Sequence, residues 1–126
     1  MIIKTKVIEV KNKKAKIQNL LKEAKKELTL FKEKGKFTNL SQACEKTWVA
    51  FVLMLEYISR RELKNNISIK NIAYTLGMGE LYQRARYLHI IHYEGSPDVS
   101  FRELSVEIEE TIDDIEKLFD TFIIER

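Results

Sequence analysis

The chain has 126 residues, of which 44% are hydrophobic and 33% charged, a length and composition that suit one globular domain with a strongly charged surface. One proline and four glycines leave few positions where long elements can end, which argues against a β-fold with many turns and favours helices. The net charge of +3 hides an asymmetry, because residues 1–36 carry twelve lysines against four glutamates while residues 94–126 carry three basic groups against eleven acidic ones.

The first predicted helix begins after a short segment of uncertain type. Residues 2–8 are rich in β-branched side chains, but no partner strand is evident, so we expect an extended lead-in or the first helical turns. From about Glu9, apolar residues recur at steps of three and four with lysines between them. Lys34-Gly35 has the cation and glycine typical of a helix end.

A second helix is predicted to start near Thr38 or Asn39, both good N-caps, and to end around Arg60-Arg61-Glu62. Apolar residues cover its middle nearly all round. Such a helix lies either at the centre of a bundle or against another subunit.

Three more helices complete the predicted fold. Asn66 or Ser68 can cap a short third helix, which Gly77-Met78-Gly79 ends, and a fourth helix then runs to Gly95. Ser96-Pro97-Asp98 has the residues of a helix start and predicts a fifth helix that reaches almost to Arg126. The sequence therefore predicts an all-α, antiparallel (up-and-down) bundle of four long helices plus one short helix, in a single domain over residues 1–126.

The charge asymmetry has two readings. A lysine-rich first helix can indicate nucleic-acid binding. We favour the alternative that the first and last helices lie side by side and neutralise one another, because the charges alternate with apolar residues at helical spacing. An acidic run on the last helix is then expected to be a solvated face, and it comprises Glu107, Glu109, Glu110, Asp113, Asp114 and Glu116.

The fourth helix carries both histidines of the chain. On a helical wheel one face, the packing face, comprises Leu81, Ala85, Leu88 and His92, with Arg84 beside it. The other face, here called the aromatic face, comprises Tyr82, Arg86, His89 and Tyr93. Tyrosine hydroxyls can hold an imidazole and a guanidinium can bind phosphate, so the aromatic face is the candidate site.

Two stretches resemble a known family. Gly35-Lys36-Phe37, Ser41-Gln42-Ala43 and Glu45-Lys46-Thr47-Trp48 resemble the "loop, then A-x-EK-x-W helix" of the archaeal PaREP-type family, and 85–95 resembles its "A-x-x-LH-x-x-x-YEG" segment. Together the resemblance covers about residues 10–122. It implies a branch of the HEPN-like helical bundles, with no settled activity.

The resemblance implies two classes of function. HEPN-like proteins that cleave RNA carry an Arg-x(4–6)-His motif and act as two-fold dimers, and this chain matches the spacing as Arg84-x4-His89 and Arg86-x5-His92. A metal-independent endoribonuclease would use His89, Arg84 and Arg86 as catalytic residues. Other HEPN-like bundles are binding modules that pair with nucleotidyltransferase-type proteins.

We expect the binding class, as a homodimer that docks a nucleotidyltransferase-type partner or holds a nucleotide or RNA. The predicted ligand-binding residues are Trp48, Tyr82, Arg86, His89 and Tyr93, whose aromatic rings could stack a base. Trp48 also suits a role as core filler. A purely structural oligomer is the third alternative. We expect no cofactor and no metal, because His89 and His92 have no carboxylate at helical spacing to complete a site.

Several features bear on location and reactivity. Cys44 is the only cysteine, which excludes an internal disulfide, and its apolar helix face favours a buried thiol over a nucleophile. The chain start lacks a signal-peptide pattern, and no apolar run approaches the roughly 20 residues of a membrane span. We therefore expect a cytoplasmic protein with no membrane contact, and the abundance of Lys, Glu and Ile fits a thermophile.

Overall fold

A computed structural model describes the backbone of residues 2–95 and 100–125 and the side chains of residues 12–95 and 100–122. Within these ranges the chain forms five α-helices and no strand: α1 (Ile2–Lys34), α2 (Phe37–Ser59), α3 (Asn66–Thr75), α4 (Gly79–Glu94) and α5 (Phe101–Glu125). The predicted all-α class is confirmed. Residues 2–8 belong to the first helix rather than to an extended lead-in.

The α1–α2 junction differs from the predicted one. Gly35 ends α1 with a φ of 67°, and its N–H donates to the carbonyl of Phe31 at 2.7 Å. The prediction that Thr38 or Asn39 caps α2 is wrong, because α2 begins at Phe37 after Lys36, which makes no side-chain cap. Asn39 instead donates its amide to Glu27 on α1 at 2.9 Å, so its polar group joins two helices.

Helix α3 is also capped one residue earlier than predicted. The side chain of Asn65, not that of Asn66 or Ser68, accepts the N–H of Ser68 at 2.9 Å. An N-cap acts from just outside the helix, and the helix here begins at Asn66.

The limits of α4 and α5 decide where the candidate site lies. Gly95 takes a φ of 88° and donates its N–H to Ile91, which ends α4 as predicted. The predicted helix start at Ser96-Pro97-Asp98 lies outside the described residues. Helix α5 begins at Phe101, and the Ser100 hydroxyl accepts the N–H of Glu103 at 3.1 Å.

Helix α2 occupies the centre of the molecule and contacts each of the other four helices. This explains why its middle is apolar nearly all round: of the two predicted settings, the central one is present. The core consists of the inward stripes of the five helices, and its largest fully buried side chains include Ile17, Leu40, Phe51, Met54, Leu55, Leu88, Leu104, Ile108, Ile112, Ile115 and Phe119.

Ion pairs link the lysine-rich α1 to its neighbours. Lys25 pairs with Glu116 at 2.7 Å, and Lys32 pairs with Glu109, so α1 and α5 lie side by side as the charge pattern predicted. Because such pairs are partly exposed, each contributes at most about 1 kcal/mol and they set the register of the helices more than the stability.

None of the described helices contains a stretch that is both long enough and apolar enough to cross a bilayer.

Candidate functional site

Helix α4 packs against α2 on one side and α5 on the other. Its packing face is buried as predicted at Leu81, Ala85 and Leu88. The aromatic face turns toward α2, where it meets Trp48. The structure therefore brings the five predicted ligand-binding residues into one cluster, in which Tyr82, His89 and Arg86 lie around the Trp48 indole.

His89 is the most constrained side chain of this cluster. Its Nδ1 lies 2.9 Å from a carboxylate oxygen of Glu45 on α2. Its ring stacks on the indole of Trp48, with 4.9 Å between centroids and 24° between planes, and it meets the ring of Tyr93 edge to face at 4.8 Å. The imidazole is thus held on three sides, so its orientation is set before any ligand arrives.

The contact with Glu45 also assigns the imidazole tautomer. An ionised carboxylate can only accept, so Nδ1 of His89 carries the hydrogen and donates it. In the neutral imidazole the other nitrogen, Nε2, is then an acceptor without a proton. Within the described part of the chain, Nε2 has no hydrogen-bond partner.

Arg86 lies one helical turn before His89 and covers the same indole. Its guanidinium carbon is 5.9 Å from the centre of the Trp48 ring, within the range of a cation–π interaction. No carboxylate in the described ranges forms an ion pair with it. Arg86 is therefore a cation whose planar face is supported by an aromatic ring and whose charge is not neutralised.

Trp48 and Tyr82 form the wall behind these two side chains. Trp48 is 6% exposed and Tyr82 3% exposed, and the Tyr82 hydroxyl donates to Asn66 on α3 at 3.0 Å. Because the indole is buried and His89 and Arg86 lie over it, Trp48 supports the cluster and does not offer an open face to a base. Tyr93, by contrast, is 73% exposed.

Arg84 does not belong to the cluster. Its guanidinium reaches α5, where it donates to Glu107 at 3.0 Å, to Glu110 at 3.4 Å and to Asp114. Burial by itself would lower the pKa of Arg84, but hydrogen bonds to Glu107 and Asp114 and the charges of both carboxylates outweigh this and raise it above its ordinary value. We call this arrangement the acidic clamp. It ties α4 to α5 and directs the Arg84 guanidinium to three carboxylates of α5.

The acidic clamp changes the interpretation of the acidic run on α5. The run keeps its predicted contact with solvent, since the five ion-paired members are 34–62% exposed, but it also forms ion pairs: Glu107, Glu110 and Asp114 hold Arg84, while Glu109 and Glu116 hold lysines of α1. The residues alternate between the two neighbouring helices because α5 lies between them at this level.

His92 has a structural role. Its Nδ1 lies 3.0 Å from the carbonyl oxygen and 2.9 Å from the hydroxyl of Ser41. Both contacts join the last turn of α4 to the first turns of α2. His92 is half-buried beside the packing face, in keeping with its predicted position toward the core.

Glu45 and Ser41 are the functional neighbours that were not singled out from the sequence. They stand four residues apart, so they lie on the same face of α2 as Trp48, and each contacts one histidine of α4. The spacing is present in the sequence, but only the packing of α4 on that face shows that the two residues contact the histidines.

Metal-ligating clusters and surface clefts are the other features that could form a site. No group of three or more His, Cys, Asp or Glu side chains among the described residues is placed to hold a metal ion. A cleft of about 320 Å³ lies between α1 and α5, away from the aromatic face, and its lining comprises Lys25, Leu28, Thr29, Lys32, Glu109, Ile112 and Asp113.

Cys44 is fully buried beside the site. Burial, with a smaller contribution from the charge of Glu45, raises the pKa of its thiol to about 12. A thiol of this kind carries almost no thiolate at neutral pH, which agrees with the predicted buried hydrophobic role.

Comparison with known proteins adds no relative: no protein-family model, no curated protein and no solved structure matches the chain.

Proposed function

We propose that this protein is a binding module that holds a phosphate group of a nucleotide or of RNA on the aromatic face of α4. The observation that carries the proposal is the state of Arg86, a guanidinium supported by Trp48 at 5.9 Å and without a carboxylate partner in the described residues. A guanidinium binds phosphate through two parallel hydrogen bonds, and a neighbouring carboxylate would compete for the same donors.

Arg84, on the same helix, differs from Arg86 in its ion pairing. It stands two residues from Arg86 on the same helix, yet three carboxylates engage it. A phosphate would have to displace those carboxylates and meet their repulsion. Arg86 imposes no such cost, and the exposed phenol of Tyr93 offers a further hydrogen bond at the rim of the site.

Intrinsic fluorescence can test the proposal directly, because Trp48 is the only tryptophan and lies against both candidate ligand-binding side chains. Adenosine 5′-monophosphate, inorganic phosphate and a uridine hexanucleotide would be titrated into the protein. We expect Arg86→Met to weaken binding by about tenfold or more, the loss of one charge-assisted pair.

Arg61→Met is the matched control, since Arg61 is exposed in the α2–α3 connection and makes no side-chain contact with the site. It should bind like the wild type. If the wild type binds none of the three probes, or if Arg86→Met binds as tightly as the wild type, the proposed function is wrong.

The wider assignment is part of the same proposal. We propose that the fold is an up-and-down antiparallel HEPN-like bundle of the PaREP type, from a thermophilic archaeon, that acts in the cytoplasm as a homodimer and docks a nucleotidyltransferase-type partner. The α1–α5 ion pairs support the antiparallel arrangement, because Lys25 meets Glu116 whereas the later Lys32 meets the earlier Glu109. Light scattering at micromolar concentration tests the dimer, and a monomeric mass would contradict it.

A metal-independent endoribonuclease remains the second candidate, and one contact favours it. Glu45 fixes Nδ1–H of His89 and leaves Nε2 as a base, the arrangement that a proton-transferring histidine needs. Arg86 would bind the phosphate, since Arg84 is engaged in the acidic clamp. Incubation with labelled RNA in the presence of a chelator tests this candidate: no cleavage, or equal cleavage by His89→Ala, would exclude it.

A further inference from the structure

We propose that Glu45 makes phosphate binding on the aromatic face proton-linked, so that His89 takes up a proton when the phosphate binds. Glu45 is then a positioning residue that acts through His89. The inference rests on the proposed function and names how its site is regulated by pH.

The geometry sets the two states of the imidazole. With Nδ1–H donated to Glu45 at 2.9 Å, neutral His89 presents a lone pair at Nε2. Phosphate oxygens are also acceptors at neutral pH, so the neutral ring and a bound phosphate repel one another. Protonation converts Nε2 into a charged donor, which can form a short charge-assisted hydrogen bond with a phosphate oxygen.

Glu45 is the counter-charge that the protonated ring would face. Its carboxylate faces the imidazolium along the Nδ1–H bond, and the contact is partly buried, with about a fifth of the His89 side chain and a quarter of the Glu45 side chain exposed. An opposite charge at this distance favours the charged form of its partner. The stack on Trp48 fixes the plane of the ring, and the hydrogen bond to Glu45 fixes which edge faces α2.

The other groups around the ring do not supply this charge balance. On α2 the carboxylate that contacts the ring is Glu45; on α4 Tyr93 contacts the ring, His92 contacts Tyr93, and the cation Arg86 shares the Trp48 indole with His89. Among the described side chains of α1, α3 and α5, none hydrogen-bonds or ion-pairs with His89. A phosphate bound to Arg86 would neutralise the guanidinium that lies on the same indole as His89.

The direction of the pH effect is set by the charge of the ring. Affinity that requires the imidazolium is larger at low pH and smaller at high pH.

Binding of a uridine hexanucleotide between pH 5.5 and 8.5 tests the inference, because its phosphodiester charges stay constant over this range. We expect the wild type to lose about tenfold in affinity across it, the equivalent of one charge-assisted hydrogen bond. Calorimetry at pH 7 in two buffers of different ionisation enthalpy should record net proton uptake. Adenosine 5′-monophosphate serves as a second arm that separates a free nucleotide from an RNA ligand.

Glu45→Gln is the decisive variant. The amide oxygen can still accept Nδ1–H and keep the ring in place, but the negative charge is gone. We expect the pH midpoint of binding to move to lower pH, because the imidazolium loses its counter-charge. His89→Asn should bind more weakly with no pH midpoint, and Glu62→Gln, an exposed glutamate outside the site, should match the wild type.

The outcomes separate the two proposals. If the wild type binds through Arg86 but its affinity does not change with pH, or if Glu45→Gln keeps the wild-type midpoint, the proton linkage is wrong and the phosphate site stands. If no probe binds at any pH, both are wrong. Urea unfolding of Glu45→Gln controls for a variant that fails to fold, and in that case the pH dependence of the wild type still decides whether the linkage is right.

Discussion

Arg84 and Arg86 stand two residues apart on α4, and the structure gives them opposite environments. Arg84 points to α5 and enters the acidic clamp, with three carboxylates around one guanidinium. Arg86 points to α2 and covers Trp48, with no carboxylate partner among the described residues. The same side chain therefore stabilises the helix packing at one position and is available to a ligand at the other.

A motif such as Arg-x4-His can therefore be matched in sequence by an arginine whose guanidinium is already ion-paired. Arg84 and His89 match the spacing of the nuclease motif in sequence, yet they face different neighbouring helices. Arg86 and His89 share the Trp48 indole as a common support. Environment, and not spacing, distinguishes the two pairs.

The largest expected effect comes from removing Trp48, the indole on which Arg86 lies. Trp48→Ala deletes a buried indole that contacts Phe51, Tyr82 and His89, and it should lower the free energy of unfolding by about 3–5 kcal/mol. Urea unfolding followed by circular dichroism measures this loss. Trp48→Phe keeps an aromatic ring and should cost far less, and a loss under about 1 kcal/mol in Trp48→Ala would show that the indole does not hold the site together.

Replacing each arginine separately with methionine tests whether Arg84 stabilises the fold more than Arg86 does. Arg84→Met leaves three carboxylates close together without their cation, and we expect it to destabilise the fold by about 2 kcal/mol after allowance for their partial exposure. Arg86→Met should cost less than about 1 kcal/mol, because it removes a single partly exposed cation–π contact.

The same pair of variants should show the reverse order in ligand binding. Arg86→Met loses the phosphate probe and Arg84→Met retains it, provided that the latter is measured well below its unfolding midpoint. Equal losses of stability in the two variants would show that Arg84 stabilises the fold no more than Arg86 does, which contradicts the acidic clamp as a structural feature.

Cys44 is fully buried next to Glu45 in the chain, so the titration of its thiol tests how dry this part of the core is. Since folding raises the pKa of this thiol to about 12, its contribution to stability is full below the unfolded-state pKa near 9 and is lost as the pH rises toward 12. At pH 10 the loss is on the order of 1 kcal/mol relative to pH 7.

Cys44→Ala lacks this titration, although the truncation has its own constant cost. The difference in unfolding free energy between wild type and variant should therefore shrink by that amount between pH 7 and pH 10, while the other titrating groups cancel. A difference that stays constant with pH would mean that the thiol is hydrated in the folded protein.

The smallest expected effect concerns His92. Ser41→Ala removes one of two oxygen atoms that face Nδ1 of His92, but the backbone carbonyl of Ser41 remains at 3.0 Å. We expect a change of less than about 0.5 kcal/mol in stability, since the buried donor keeps a partner, and no change in ligand affinity. A loss of affinity similar to that of Glu45→Gln would place His92 in the site beside His89.

Much of the helix pattern was predictable because local chemistry decides it. Apolar residues at steps of three and four placed α1, α2, α4 and α5, and Gly35 and Gly95 marked helix ends that their positive φ values explain. The errors fell at N-caps, where the choice among neighbouring polar residues depends on a partner: Asn39 serves Glu27, and Asn65 caps α3 in place of Asn66.

The candidate site was predictable only in part. Wheel positions grouped Tyr82, Arg86, His89 and Tyr93 correctly, because one helix face is a local property. The role of Glu45 was not predictable, because the contact joins residues 44 positions apart in the chain. The same holds for the acidic clamp, since the acids of α5 became partners of Arg84 only through the packing of two helices.

The sequence by itself determined the all-α class, the approximate helices and the two faces of α4, since these follow from periodicity and local propensity. Only the tertiary structure decided that Arg84 is bound by carboxylates while Arg86 lies on Trp48 without a carboxylate partner among the described side chains, and that Glu45 fixes the tautomer of His89. The physical reason is that charge and hydrogen-bond state depend on atoms within a few ångströms, and those atoms come from distant parts of the chain.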